Sequence, residues 1–236
     1  MIPVYVKYSD FADLSDSIYY LVASDGVFLV KKTALFKSVT QARLIAGLES
    51  QTASIELLFP RIPRRILEAI YGFFSFVCRR WDGEAVAFLY YSPQTGEFLV
   101  DVPPQRLFRF RSKSGWETEG RVEYGALPRP EGFLKIGDAH SHGRQPAFFS
   151  STDDHDDLED GLRIVMGSLH RNVPDIRVSF VSGSYRFGLE LEGVLEDFSS
   201  TLPPPAEWTR RVTCRYEGLR KARKRGSSHA NGAASN

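Results

Sequence analysis

Two histidines stand one residue apart in His140-Ser141-His142, and an aspartate, Asp153, follows His142 by eleven residues. In an extended segment side chains alternate between faces, so residues i and i+2 point the same way. An H-x-H at the end of a strand therefore aims two imidazoles at one point. Asp153 would add a carboxylate from the start of a following helix. Two histidines and one carboxylate, with a fourth position open, form the ligand set of a catalytic zinc site rather than a structural one. The same residues also have a purely structural reading. Ser150-x-x-Asp153 is a helix-capping pattern, and Asp154, Asp156 and Asp157 suit the positive pole of a helix start. His155 is expected to point to solvent.

The elements that must position these residues are legible around them. "FLKIGDAH" reads as a buried strand leading into the H-x-H, and "STDDHDDLEDG" as a short helix ending at Gly161. Asp138, two residues before His140, is placed to accept a ring N–H from beside the site. Phe148 and Phe149 are either core plugs or the wall of a substrate groove. Upstream, "PRIPRRILEAIYGFFSFVCRRW" repeats apolar residues at three- and four-residue intervals, with Pro63 suited to a first turn, and predicts a helix of about four turns. "EAVAFLYY" and "FLVDVPP" form a hairpin around Thr95-Gly96. Strands are expected at 107–111 and 119–124, then at "LRIVMGSL", "DIRVSFVS" and "YRFGLELE". Residues 1–58 read as a β-rich unit, with a hairpin around Ser24-Asp25-Gly26 and another strand in "SIELLF" at 54–59. Beyond "TLPPP" the composition turns to Pro, Arg, Ser, Ala and Gly. The domain is expected to occupy 59–200 and residues 201–236 to form a basic, Pro-rich, partly disordered tail.

Bulk properties exclude several function classes. The 236 residues include no apolar run long enough to span a membrane. The first residues lack a signal-peptide pattern, so the expectation is a soluble protein of the reducing cytoplasm. Cys78 and Cys214 are too few and too scattered for a disulfide framework or a cysteine-rich zinc site. The formal net charge is +1, yet from Trp208 onward eight basic residues face the single acid Glu217. Nucleic-acid binding through Arg210–Arg225 is the less favoured reading of that end, and a solubilising tail the favoured one.

The full string, His140-Ser141-His142, seven residues "GRQPAFF", Ser150, "ST" and Asp153, resembles the JAMM motif of the JAB/MPN metalloprotease family at every position. The resemblance covers roughly residues 60–195. The surrounding words most resemble the prokaryotic branch, in the group called PRTRC system protein A. It implies an α/β fold of the three-layer JAB/MPN type, cytidine-deaminase-like, with a mixed β-sheet flanked by helices and a small N-terminal β-rich unit. It implies one catalytic Zn2+ per chain on His140, His142 and Asp153. The family's upstream glutamate falls at Glu84, at the start of the first core strand. Glu84 would take a proton from an activated water and pass it to the leaving amine, and Ser150 would stabilise the oxyanion. The implied activity is cleavage after the tail of a bacterial ubiquitin-like protein, in precursor processing or deconjugation. Its partners would be that modifier or its conjugates, with the activating or conjugating enzymes of the same system. Two alternatives stay open: a peptidase processing a sulfur-carrier protein or its adduct, and a non-catalytic scaffold. Other H-x-H families fit worse. Metallo-β-lactamases require H-x-H-x-D-H, amidohydrolases need a full barrel after the motif, and zinc deaminases need a later P-C-x-x-C.

Overall fold

The computed structural model describes residues 2–8, 14–45, 47–113, 115–149, 159–171, 173–197 and 202–219. The chain divides into two compact units, Met1–Ser54 and Ile55–Asn236. The first is a four-stranded sheet in the order β1 (Val4–Val6), β2 (Ile18–Ala23), β3 (Gly26–Lys32) and β4 (Lys37–Gln41). Strand β1 runs parallel to β2, and the remaining pairs are antiparallel. Ala23 pairs with Gly26, so Ser24 and Asp25 form a two-residue turn, as the sequence predicts. Period-2 alternation puts Tyr19, Leu21 and Val30 into one small core, with Tyr5 and Phe28 against it.

The second unit opens with helix α1 (Arg64–Trp81). Pro63 is its N-cap rather than its first helical residue, held at φ −60° and ψ 140°. The Arg64 N–H donates to the Glu196 carboxylate at 2.9 Å, which satisfies one of the helix's open donors. The C-terminus closes on Asp82 in the left-handed region at φ 52°, its N–H donating to Cys78 O at 2.8 Å. Leu67, Ile70, Phe73, Phe74 and Val77 recur on one face and are fully buried. Each contributes about 1.5–3 kcal/mol by leaving water.

That helical face packs on a six-stranded sheet in the order β12 (Tyr185–Leu189), β11 (Asp175–Ser182), β10 (Gly161–Gly167), β9 (Leu134–Ser141), β5 (Val86–Ser92) and β6 (Glu97–Asp101). Its pairs are antiparallel except β9 with β10. Ala85, Ala87, Leu89, Ala139, Leu162, Ile164, Met166 and Val178 share one core with α1. The alternate residues Val86, Phe88 and Tyr90 form a separate cluster on the opposite face. A second sheet of three strands runs β13 (Val212–Leu219), β7 (Gln105–Ser112) and β8 (Gly115–Tyr124). The α/β reading therefore holds as mixed sheets with few helices. The helix expected over 151–161 falls largely on 150–158, which lie outside the described residues, but its expected end does not stand. Gly161 instead opens β10, paired with Val181.

Three further expectations change. "SIELLF" forms no strand with the described residues; Leu57 and Phe59 pack against the main core from an irregular segment. β12 ends at Leu189, and the rest of "YRFGLELE" enters a short helix, α2 (Leu191–Val194), whose Val194 O accepts the N–H of Ile62. The break read at "TLPPP" is compositional only. The Leu202 carbonyl oxygen lies 1.8 Å from where a Cβ on Gly72 would stand, so only glycine in α1 admits this approach. Helix α3 (Ala206–Arg210) then buries Trp208 edge-on against Phe73, with ring centroids 5.9 Å apart. β13 pairs in parallel with β7 from Val212 onward. Val212, Cys214 and Tyr216 alternating with the polar Thr213, Arg215 and Glu217 carry the strand signal that overall composition hides. No helix among the described residues is long and apolar enough to cross a membrane.

Candidate metal centre

Strand β9 delivers the histidines. Its register sets Asp138 opposite Phe88 and His140 opposite Val86, so Asp138 and His140 share the sheet face that α1 does not cover. The pairing runs on past the start of β5: the Ser141 N–H donates to Ala85 O at 2.9 Å, and the Ala85 N–H donates to Ser141 Oγ at 2.9 Å. Ser141 is thus the fully buried clasp between the two strand ends. The His142 N–H donates to Met166 O at 2.9 Å, holding the segment to β10 as well.

The two imidazoles lie with centroids 5.2 Å apart and planes inclined by 37°. His142 is buried and His140 half-buried. Two rings on one tetrahedral ion, with metal–nitrogen bonds of about 2.0–2.1 Å, stand about 5 Å apart between centroids, so the pair fits a shared zinc. Among the described residues no group of three or more His, Cys, Asp or Glu side chains is placed to hold a metal. The third expected ligand, Asp153, and the expected oxyanion donor, Ser150, lie outside the described residues.

Glu84 precedes β5. Continuing the β5–β9 register by two residues, past Ala85 and Ser141, sets it across from His142. It is half-buried, and one carboxylate oxygen lies 3.7 Å from where a Cβ on Gly120 of β8 would stand. The turn before it is tied to the loop after the histidines, because Arg144 Nε donates to Asp82 Oδ1 at 2.8 Å. Gln105 completes the edge of β5 that β6 does not reach. Its amide accepts from the Val86 N–H and donates to Val86 O, each at 3.0 Å.

The loop after His142 crosses the end of β10. Ser168 and Leu169 donate their N–H groups to Gln145 O and Gly143 O, and a Cβ on Gly167 would stand 2.3 Å from Ala147 N. Phe148 then sets its edge against the His142 ring, with centroids 4.5 Å apart. It is exposed, so it does not plug the core. Phe149 stacks over the Arg186 guanidinium, 4.6 Å from the ring centroid.

Asp138 Oδ1 lies 3.8 Å from His140 Nδ1, an ion-pair separation longer than a hydrogen bond. Two neighbours escaped the sequence reading, Gln105 and Arg163, as did the buried hydrogen-bonding role of Ser141. Arg163 is buried on the histidine-bearing face of β10, opposite Asp138. The signal that could have found it is a lone cation in the otherwise apolar "LRIVMG".

Against protein families, residues 78–181 match the one described as prokaryotic homologs of the JAB domain. No curated protein matches the chain. The matched segment starts in the last turn of α1 and ends in β11, so it holds both histidines and the strands that carry them. The resemblance carried by the H-x-H string is thus supported over this segment: residues 78–181 are similar to prokaryotic homologs of the JAB domain.

Proposed function

We propose that this chain is a zinc-dependent isopeptidase or peptidase that cleaves after the C-terminal tail of a bacterial ubiquitin-like protein. The supporting observation is the pair of imidazoles, 5.2 Å apart on one sheet face, within a segment similar to prokaryotic homologs of the JAB domain. In this reading His140, His142 and Asp153 hold one zinc, and the domain takes the three-layer, cytidine-deaminase-like arrangement of that family. When bound, zinc supplies Lewis acidity, which brings the pKa of a water towards neutrality and polarises an amide carbonyl.

The chain's own residues do the rest. Glu84 accepts a proton from the attacking water and returns it to the departing amine, so no proton is gained or lost over the cycle. Ser150 donates a hydrogen bond to the developing oxyanion, a contact worth about 2.7–4 kcal/mol where one such donor has been removed. Phe148 shields one side of the His142 imidazole from bulk water, which strengthens the electrostatic interactions beneath it. An extended substrate tail could pair along an exposed sheet edge. Among the described residues, β12 and β6 are the edges of the six-stranded sheet. Neither thiol takes part as a nucleophile.

The test uses a bacterial ubiquitin-like protein carrying a C-terminal extension, incubated with the full chain. Cleavage at the tail that stops with a zinc chelator and in Glu84→Gln is the expected result. Cleavage by Glu84→Gln at the wild-type rate would put the general base elsewhere. Zinc binding without cleavage of extended or conjugated modifier would favour a scaffold.

A further inference from the structure

Strand alternation brings one more charged group to the histidine-bearing face. Asp138 and Arg163 are register partners on β9 and β10, and Asp138 is two residues before His140. The Arg163 side chain is only 6% exposed, with Nη1 3.5 Å from Asp138 Oδ2. It is also anchored from behind: Nη2 donates to Glu159 O at 2.6 Å and Nη1 to Leu162 O at 3.2 Å. Gly161 makes room for it, since a Cβ there would stand 2.8 Å from Nη1. The other carboxylate oxygen of Asp138, Oδ1, faces His140 Nδ1 at 3.8 Å. A buried arginine costs several kcal/mol of desolvation, and an apolar residue at the same place in a sheet would spare that cost.

Resting on the zinc reading above, we infer that Arg163 is a positioning residue for the metal centre. It fixes one oxygen of Asp138, which leaves the other aimed at the Nδ1 edge of His140 and presents Nε2 as the ligating nitrogen. The planar guanidinium suits the task because two of its nitrogens grip backbone carbonyls while one of them also faces the carboxylate. Partners of ligating histidines of this kind change metal affinity by about 10–100-fold when removed. Arg163 acts through Asp138, so removing both should cost no more than removing Asp138 alone.

Zinc affinity of the full chain, measured by chelator competition, tests this in wild type, Asp138→Asn, Arg163→Gln, Arg163→Lys and the Asp138→Asn/Arg163→Gln double variant. Asp138→Asn is expected to weaken zinc by about 10–100-fold and Arg163→Gln by about tenfold, with the double variant matching Asp138→Asn. Unfolding of the metal-free proteins reports fold integrity separately. Should Arg163→Gln fail to fold, Arg163→Lys carries the test: it keeps the charge, loses the fork, and is expected to fold while binding zinc several-fold more weakly. In the cobalt-loaded protein the visible spectrum of each folded Arg163 variant should differ from wild type, because the ligand field follows ring orientation. Folded Arg163 variants with wild-type zinc affinity, or losses that add in the double variant, would overturn the assignment. Wild-type protein that binds no zinc would instead overturn the metal reading itself.

Discussion

Gly137 lies three residues before His140 and pairs with Leu162 of β10. A Cβ there would stand 1.9 Å from the Leu162 carbonyl oxygen and 2.7 Å from its nitrogen. To restore an ordinary contact of about 3.5 Å the strands must part by about 1.6 Å, roughly a third of their usual spacing. Parting them weakens the ladder around the Leu162–Gly137 pair by about 0.5–1.5 kcal/mol per hydrogen bond. Overpacking adds about 1–3 kcal/mol, and holding alanine at a glycine-type φ of 157° adds about 1 kcal/mol or more. Gly137→Ala should therefore cost about 3–5 kcal/mol, a large share of the 5–15 kcal/mol typical of a folded protein. All three tryptophans, Trp81, Trp116 and Trp208, lie in the second unit, so their fluorescence in a urea titration follows that unit alone. The midpoint should fall by at least 1 M, for a slope of about 1–3 kcal/mol per molar. A Gly137→Ala protein within about 0.5 kcal/mol of wild type would refute the strand packing on which the position of His140 depends.

The C-terminal segment and the thiols supply two further tests. Trp208→Ala should destabilise the second unit by about 3–5 kcal/mol in the same titration, as large aromatic deletions in cores do; a neutral effect would mean that residues 202–219 do not belong to the packed domain. Burial pushes both the Cys78 and Cys214 thiols above the usual range, with Asp82 adding to the effect at Cys78. A raised pKa leaves less thiolate below it, so at pH 8 both should react slowly with an alkylating reagent in the folded protein and quickly after unfolding. Cleavage of a modifier substrate should also survive alkylation, and loss of activity in step with Cys78 modification would contradict water-based hydrolysis.

The sequence was most readable where chemistry and periodicity coincide. The His140–His142 alternation on a strand, the apolar stripe of α1 and the Ser24-Asp25 turn all follow from local rules, and the structure forms them. The errors came from segments whose fate depends on distant partners. "SIELLF" starts with strand-like alternation, but it pairs with no strand among the described residues. "VTCRYEGL" sits in a basic, polar neighbourhood, yet β7 has a free edge for it a hundred residues earlier. Gly161 looked like a helix end because glycine follows acids there, whereas the space it leaves is taken by Arg163. Arg163 itself could not be placed without register, since only the parallel pairing of β9 and β10 sets it beside Asp138. The acidic stretch from Ser150 to Leu158 lies outside the described residues, so Asp153 and Ser150 rest on the motif alone.

Metal analysis of the purified chain bears most directly on the account, with the metal counted per protein in wild type, His142→Ala, Asp153→Ala and Glu84→Gln. Zinc near one equivalent in wild type and Glu84→Gln, and well below it in the other two, is the expected pattern. A wild-type chain without zinc after exposure to it, or an Asp153→Ala chain that keeps a full equivalent, would contradict the assignment of this centre.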